Sequence, residues 1–488
     1  MSGKPAAARG ACFVTGSIMR HVLVMAGTGT IGLMAVFAVD MLNMIYIAHL
    51  GNPALTAAIG FAGAVGGIQI AVSIGMTIGL GASVGREIGC NRFDDARRIA
   101  SSFLFTTFII SLALGFLTAI LADPILRLLG ASGDALTEAV TYLHIVSPFF
   151  PTMATGMASA ALLRAVGDAK RSMNVTLAAA LLTAFLDPIL ILGLHEGLTG
   201  AAISSVLSRT AVLILGVRGA LSHGMLEWPR FAAVPRDTRR VGAIALPAIM
   251  TNLATPVGGA YVTEHMARFG LDAVGGQTSV DRIVVVAFSF VFALTGAVGP
   301  IISQNVGARQ MHRVREVLGS SLQLVGLCVV LTWILLALNQ NLLVAGFHAH
   351  GDGALLIHLF CSWTVSGYLF IGMLFVANTV FNNLGHPLYS TLFNWGRATL
   401  GTIPFVAYGA RFGAQGVQIG QALGSVMFGA VAIFTAFRVV SRLAAHQRPE
   451  DEIDTSHFIP AANVPTVSAD AAMAELDEIE DAELSSRA

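Results

Sequence analysis

The sequence predicts an all-α integral membrane protein with twelve transmembrane helices. Hydrophobic residues make up 55% of the 488 residues and charged residues only 11%, whereas soluble chains carry about 25% charged residues. The apolar stretches are continuous and near the roughly 20 residues that a spanning helix needs. They lack the alternation of apolar and polar residues that is typical of the strands of a membrane β-barrel. The two halves of the chain also repeat each other, which is typical of many transporters.

The apolar stretches define the predicted helices in order, six in each half of the chain. Polar or basic segments separate them where the chain is expected to leave the bilayer. The 52 glycines fit this prediction, because glycine lets spanning helices pack closely. The predicted spans are 22–47, 54–80, 99–121, 136–161, 172–194, 200–218, 241–267, 277–300, 317–345, 355–381, 389–409 and 416–438.

An internal repeat relates the two halves. Residues 85–102 align with residues 303–320, and residues 161–168 align with residues 379–386, both at a shift of 218 positions. Six spans per half give both halves the same orientation, so the axis relating them runs along the membrane normal. The sequence therefore predicts two six-helix lobes related by a pseudo-twofold axis, with a central cavity between them.

The repeat and the basic residues divide the chain into five parts. If the N-terminus is inside the cell, twenty-one lysines and arginines fall in inward segments, and only Arg127, Arg268 and Arg411 fall in outward loops. The positive-inside rule predicts such a bias. We therefore expect a multi-pass protein of a bacterial inner (plasma) membrane with both termini cytoplasmic. The parts are a lead, 1–21, an N-lobe, 22–221, a linker, 222–240, a C-lobe, 241–438, and an acidic tail expected to be disordered, 439–488.

Two aspartates, Asp40 and Asp187, stand alone in apolar stretches of the first half, and the second half has neither. A charged side chain inside a bilayer is costly and is by default a functional-site hypothesis. An acid in apolar surroundings takes up a proton more readily than one in water, and two neighbouring acids titrate as a pair. The alternative is a static buried acid that fixes helix packing. We predict that both aspartates couple transport to an ion.

The chain resembles the multidrug and toxic compound extrusion (MATE) family, and within it the prokaryotic branch with coupling aspartates in the N-lobe. The resemblance covers about residues 20–440. It rests on Asp40 followed by Ile47-Ala-His-Leu-Gly51, on Leu163-Arg-Ala-Val-Gly167-Asp168, and on Asp187-Pro188-Ile-Leu. It implies alternating-access export of organic molecules, often amphipathic cations, driven by inward flow of protons or sodium.

The resemblance also implies an ion site. Asp40 and Asp187 match the two family aspartates, whereas Thr183 stands where the family has an asparagine and Ser205 where it has a threonine. Asn43, one turn after Asp40, completes the predicted cation-coupling set. Another family asparagine falls at Ala160. The two missing asparagines remove amide oxygens that a sodium ion would use. We therefore expect proton coupling, and sodium coupling stays an alternative.

Other polar residues and prolines in the spans supply further candidates. Arg209, near the middle of the sixth span, is a possible charge partner of Asp187, and such a pair would weaken a proton-carrier role. Proline inside a helix removes a backbone hydrogen bond and bends the helix. The predicted substrate-cavity residues are Tyr46, Gln69, Met250, Gln304 and Asn378, the possible outer gate is Glu264, Asp281 and Arg282, and the predicted helix kinks are at Pro188 and Pro404.

Catalytic and metal motifs do not occur in the sequence: it has no phosphate-binding loop, nucleophile elbow or metal-ligand spacing. We predict that the protein is not an enzyme, holds no metal, and uses no cofactor beyond a coupling ion, H+ or Na+. The expected partners are a small organic substrate and the lipid bilayer, with no nucleic acid, and the expected state is a monomer. One alternative is a lipid or oligosaccharide-lipid flippase, which would need a more cationic cavity. Another is a channel or receptor.

Overall fold

The structure, a computed structural model, describes residues 10–50, 52–194 and 196–446, which fold as helices joined by short loops. Eleven helical stretches are long and apolar enough to cross a bilayer. The remaining predicted span, 389–409, is also helical but is divided by a π-helical turn. The α-helices are α1 (Ile18–His49), α2 (Pro53–Gly89), α3 (Phe93–Ile120), α4 (Ala122–Leu128), α5 (Gly133–Val146), α6 (Phe150–Ala165), α7 (Ala169–Asp187), α8 (Gly197–Ser222), α9 (Val234–Ala267), α10 (Leu271–Ala287), α11 (Ser289–Gly307), α12 (Met311–Gly346), α13 (Gly351–Ser362), α14 (Tyr368–Asn383), α15 (Pro387–Gly396), α16 (Ile403–Gly409) and α17 (Gly413–Ala445).

Twelve membrane-spanning segments result from these helices, as the sequence predicts. Four spans consist of two helices each, namely α5 with α6, α10 with α11, α13 with α14, and α15 with α16. The first lobe comprises α1 to α8 and the second α9 to α17. The short α4 follows α3 outside the six spans of the first lobe.

The helices extend beyond the apolar stretches at several ends. Helix α1 begins at Ile18 and α9 at Val234, so parts of the predicted lead and of the linker 222–240 are helical. The backbone hydrogen bonds of a helix continue past the bilayer core, which hydropathy alone does not mark. Helix α17 likewise continues to Ala445. Residues 1–9 and 447–488, which hold most of the predicted acidic tail, lie outside the described residues.

The two lobes meet along one face, which we call the seam. It lies on the side of the membrane that carries residues 10–17 and 446, here called the terminal side, and the opposite side is the far side. Gly75 and Gly79 of α2 pack against Ile249 and Ala245 of α9 so closely that a Cβ on either glycine would overlap its partner. Small residues permit this approach of two helix backbones.

The ends of α2 and α11 make reciprocal contacts in the seam. Gly89 lies against the carbonyl group of Gln304, and Gly307 lies against the carbonyl group of Arg86. At the shift of 218 positions, residues 86 and 89 correspond to residues 304 and 307. The two contacts are therefore one contact seen from each lobe, as a twofold axis through the seam requires.

The lobes part toward the far side. Ile68 lies one heptad before Gly75, on the same face of α2, yet its side chain is 53% exposed. Pro256 lies one heptad beyond Ile249 on α9 and is also exposed. The same helix faces that are in contact on the terminal side are therefore separated on the far side, and the gap between the lobes faces that side.

Candidate functional site

Asp40 faces the gap between the lobes. It lies 11 residues, about three helical turns, beyond Gly29 on the same face of α1. At the level of Gly29 this face touches Ala293 of α11, in the other lobe. The side chain of Asp40 is exposed, and one turn farther along α1 Met44 contacts Arg282 of the second lobe.

Asp187 lies behind Asp40, inside the first lobe. It is the last residue of α7, its side chain is 0% exposed, and neither of its carboxyl oxygens has a hydrogen-bond partner among the described residues. Asn43 of α1 and Ser204 of α8 are the polar side chains next to this carboxyl group. The Oδ1 atom of Asn43 and the Oγ atom of Ser204 are also buried without a partner. Asp40 is close enough for the charge of Asp187 to act on it.

A fully buried carboxylate without a partner is too costly to persist as a bare anion. A proton on Asp187 would convert one oxygen into a donor that Asn43 Oδ1 or Ser204 Oγ can accept, and the Ser204 hydroxyl group can donate to the ionised form. Alternatively, a small cation would find four oxygen atoms from three helices around it. The chemistry that this arrangement supports is reversible binding of a proton or a small cation.

The serine next to Asp187 is Ser204, one position before the Ser205 of the sequence prediction. The hydroxyl group of Ser205 lies 3.4 Å from that of Tyr142. Successive residues of a helix point about 100° apart, so a shift of one position changes the face. Thr183 lies about one turn before Asp187 on α7 and is half-buried.

Arg209 does not pair with Asp187. Among the described residues it forms no salt bridge. Tyr142 is its ionisable neighbour, and its Nη1 atom is buried without a partner. Arg397 is the comparable residue of the second lobe: its Nη2 atom donates to Thr255 Oγ1 at 3.3 Å, and its Nε atom has no partner. Both guanidinium groups lie near the middle of their spans.

Most of the predicted cavity residues lie within one lobe. Gln69 is buried, and its amide group donates to Ser147 at 3.4 Å. Asn378 accepts a hydrogen bond from Asn394 at 3.0 Å. Tyr46 packs against the apolar cluster at the far end of the first lobe. Met250, in contrast, is exposed beside the seam.

Gln304 belongs to the seam and does not line the gap in this conformation. Its Oε1 atom accepts from the backbone N–H of Phe13 at 2.9 Å, and its Nε2 atom donates to the carbonyl oxygen of Ala165 at 2.8 Å. Gln304 is on α11, one turn before its end, where the two lobes are in contact. Its side-chain hydrogen bonds therefore stabilise the closed terminal side of the molecule.

The predicted outer-gate residues do not form one cluster. Glu264 pairs with Arg268 at 3.0 Å on the same helix, and Asp281 accepts from Gln277 at 3.0 Å. Arg282 alone reaches the other lobe, where its Nη2 atom lies 2.7 Å from the Sδ atom of Met44 on α1. Glu264 and Asp281 each have a partner one helical turn away on their own helix, whereas the contact of Arg282 is in the other lobe.

Both predicted proline sites coincide with irregular helix geometry. Pro188 opens a π-helical turn, Pro188–Gly193, directly after Asp187. In the second lobe the π-helical turn Arg397–Gly401 lies just before Pro404. Such π turns are rare and frequently lie at functional sites.

Two repeated helical lobes, a seam closed on one side of the membrane, a gap on the other, and carboxyl groups at membrane depth define a membrane transporter that is not an enzyme. The MatE family model matches residues 30–189 and 247–407, which is most of both lobes. The chain therefore belongs to the MatE family, the multidrug and toxic compound extrusion (MATE) transporters.

Curated relatives and solved structures agree with this membership. The FAD transporter of Shewanella oneidensis is 27% identical, covering 88% of this chain and 96% of the relative. The multidrug export protein MepA of Staphylococcus haemolyticus is 22% identical, covering 85% and 92%. The crystal structure of the Vibrio cholerae MATE transporter VcmN in the bent form has the same fold, with a TM-score of 0.83 at 20% identity, covering 88% of this chain and 99% of that one.

Proposed function

We propose that this protein is a proton-coupled antiporter that exports organic molecules across a bacterial plasma membrane, with its terminal side in the cytoplasm. The observation that carries the proposal is the fully buried carboxyl group of Asp187, which has no partner for either oxygen. Such a group requires a proton or a cation to remain in place. Asp40, which lies at the gap, provides a route for that proton or cation between Asp187 and the far side.

The proposed cycle uses this pair as a switch. With the seam open, substrate binds from the cytoplasm while Asp40 and Asp187 are ionised. After the far side opens, external protons neutralise them and change the packing of α1 against α7. The π-helical turn at Pro188 is the element that the protonation of Asp187 would reshape first, and the resulting repacking would expel the substrate.

Sodium coupling is a second candidate for the same site. The two oxygens of Asp187, Asn43 Oδ1 and Ser204 Oγ form a set of buried oxygen atoms without partners. Oxygen atoms are the ligands of hard cations. This observation weakens the sequence argument that the site lacks oxygens.

The orientation is supported by the basic residues. Among the described residues, the terminal side carries eighteen of the lysines and arginines of the loops and helix ends, against three on the far side, and cytoplasmic loops carry the excess of basic residues. With this orientation the structure corresponds to the outward-facing state of the cycle.

The substrate class has two candidates. Multidrug export proteins such as MepA are relatives of this chain, which favours amphipathic drug-like molecules. The FAD transporter is a relative over 96% of its own length, which favours an anionic metabolite. Arg209 and Arg397, which lack carboxylate partners among the described residues, would suit the phosphate groups of such a metabolite or of a flippase lipid.

Transport by proteoliposomes with imposed gradients tests the proposal. Uptake of a cationic dye and of FAD is measured with a proton gradient, a sodium gradient or neither. We expect substrate exchange driven by the proton gradient and its loss in Asp40→Asn, which keeps the shape of the side chain. Gradient-driven transport at the wild-type rate in Asp40→Asn would refute the coupling assignment. Movement of labelled lipid would identify a flippase.

A further inference from the structure

A small cavity of about 110 Å³ lies inside the seam, close to the terminal surface of the molecule. A water molecule occupies about 30 Å³ of liquid, so the cavity has room for a polyatomic ion. Both lobes contribute to its wall. The lining residues are Ala82, Ser83 and Arg86 of α2, Arg240 and Ile244 of α9, and Asn383 of α14.

The wall of this cavity carries a surplus of positive charge. Glu87 is the carboxylate next to it, and it already forms ion pairs with Arg240 and, at 2.9 Å, with Arg92. Arg86 forms no salt bridge among the described residues and donates instead to the carbonyl oxygen of Asn383 at 3.0 Å. Three arginines therefore surround one carboxylate, and two of the three line the cavity.

The repeat supplies a matched position in the other half of the seam. There, Gln304 replaces Arg86 and Ala165 replaces Asn383, and Gln304 donates to the carbonyl oxygen of Ala165 at 2.8 Å. This bond repeats the one from Arg86 to Asn383. The two halves of the seam thus share this hydrogen bond but differ in the side chains that surround it.

The matched position is filled by the chain itself. Val22, Ala26 and Ile301 replace Arg240, Ile244 and Ser83, and all three are fully buried. The backbone N–H of Phe13 donates to Gln304 at 2.9 Å, so the segment before α1 covers this position. The arginine-lined half of the seam instead contains a cavity.

We propose that the arginine-lined cavity binds a phosphate-type oxyanion, as free phosphate or as the headgroup of an anionic phospholipid, and that the bound anion holds the seam closed. Guanidinium groups match the geometry of such anions, and charge-assisted hydrogen bonds are the strong ones. Because both lobes line the cavity, the complete site exists only while the seam is closed, and the ligand shifts the equilibrium toward that state. The site is separate from the gap and does not depend on the transported substrate.

The first test measures Tm of the purified full chain in detergent during titration with inorganic phosphate, against chloride at equal ionic strength. We expect a saturable rise of Tm in the wild type. In Arg86→Gln the half-saturating concentration should increase at least about tenfold, since one charge-assisted hydrogen bond is lost. Ser83→Val fills the cavity without changing its charge and should abolish the response.

Arg92→Gln is the matched control. Arg92 pairs with the same Glu87 but does not line the cavity, so the phosphate response should stay at the wild-type level. A rise of Tm that is equal in the wild type, Arg86→Gln and Ser83→Val would be a general salt effect and would refute the site. If Arg92→Gln loses the phosphate response together with Arg86→Gln and Ser83→Val, the effect belongs to the ion pairs of Glu87, and this result would also refute the site.

The second test separates the two sources of the anion and reads the conformation. The chain is placed in nanodiscs of phosphatidylglycerol or of phosphatidylcholine, without free phosphate, and maleimide labelling of Ile68→Cys is followed in a background without the native cysteines. Ile68 faces the far-side gap, so an anion that closes the seam should accelerate its labelling. Acceleration by phosphatidylglycerol that Ser83→Val abolishes indicates a lipid headgroup, and acceleration only by added phosphate indicates the free ion. No acceleration by either would overturn the proposal.

Discussion

At the scale of single residues, Ser204 and Ser205 provide an internal comparison. They are neighbours on α8, but Ser204 lies next to Asp187, whereas Ser205 lies next to Tyr142. Only the first can exchange a hydrogen bond with the carboxyl group when the coupling ion enters or leaves. The two hydroxyl groups have the same size and membrane depth, so they separate a role in coupling from a role in packing.

We predict that Ser204→Ala reduces gradient-driven transport about three- to tenfold, because a hydrogen bond to the coupling carboxyl group is worth about 1 kcal/mol and 1.4 kcal/mol corresponds to tenfold. Ser205→Ala should keep the wild-type rate. The initial rates of both variants in proteoliposomes check this, and Tm controls for folding. Equal effects of the two substitutions would show that the serine does not act through Asp187.

The sequence located the two acids of the spans but not their surroundings. Asp40 and Asp187 could be selected because an isolated carboxylate in an apolar stretch is conspicuous whatever its neighbours are. The choice between Ser204 and Ser205 depends on helix rotation, which one sequence does not specify. Membrane depth makes Arg209 a possible partner of Asp187, but depth does not determine the direction in which a side chain points.

At the scale of elements, α2 changes its role along its length. Gly75, Gly79 and Gly89, toward the terminal side, leave no room for a Cβ, whereas Gly63 has no atom within 4 Å of the Cβ that alanine would add. A single helix therefore contains both a close-packed half and an open half. The close-packed half is the part that must separate from α9 and α11 when the seam opens.

We predict that Gly89→Ala shifts the conformational equilibrium away from the closed seam. Its Cβ would overlap the backbone carbonyl group of Gln304, and overpacking of this kind costs about 1–3 kcal/mol, which is about 5- to 150-fold in an equilibrium. Labelling of Ile68→Cys should slow accordingly as the far-side gap closes. Gly63→Ala is the control and should label as the parent does. Unchanged labelling in Gly89→Ala would mean that the contact does not limit closure.

The number and order of the spans were predictable because apolar length decides them. The interruptions were only partly predictable. Proline marked the irregular turns near 188 and 404, but the break between α10 and α11 at Phe288 has no proline or glycine at that position. Helix α9 begins at Val234, inside the predicted linker 222–240, because a helix can continue beyond the apolar stretch, which begins at about residue 241.

At the scale of the whole molecule, the seam is held by two buried carboxylates of opposite lobes. Glu87 of α2 binds Arg240 of α9, and Asp237 of α9 binds Arg98 of α3 at 3.3 Å. Each acid is almost fully buried, so the pairs are poorly screened by solvent. Because both connect the lobes only when the seam is closed, they contribute to the outward-facing state as much as to folding.

We predict that Asp237→Asn weakens the closed seam by about 1–3 kcal/mol, the range for a hydrogen bond to a charged group. Asparagine can still accept from Ser102, and Arg98 keeps its pair with Asp95, so the chain should fold. The expected result is slower labelling of Ile68→Cys together with a small fall in Tm. Asp94→Asn, on the exposed side of α3, is the control. Its effect on the labelling rate and on Tm should correspond to no more than about 0.5 kcal/mol.

The two measurements distinguish a conformational role of Asp237 from a purely structural one. If the ion pair stabilises the closed seam relative to the open seam, labelling must slow even where the protein is fully folded, since the populations of the two states change. If the pair stabilises both states equally, Tm falls and labelling keeps its rate. In that case the lobes would separate along the contacts of α2 with α9 and α11 while Asp237 and Arg98 stay together, and the closing energy would come from helix packing and the pair of Glu87 with Arg240.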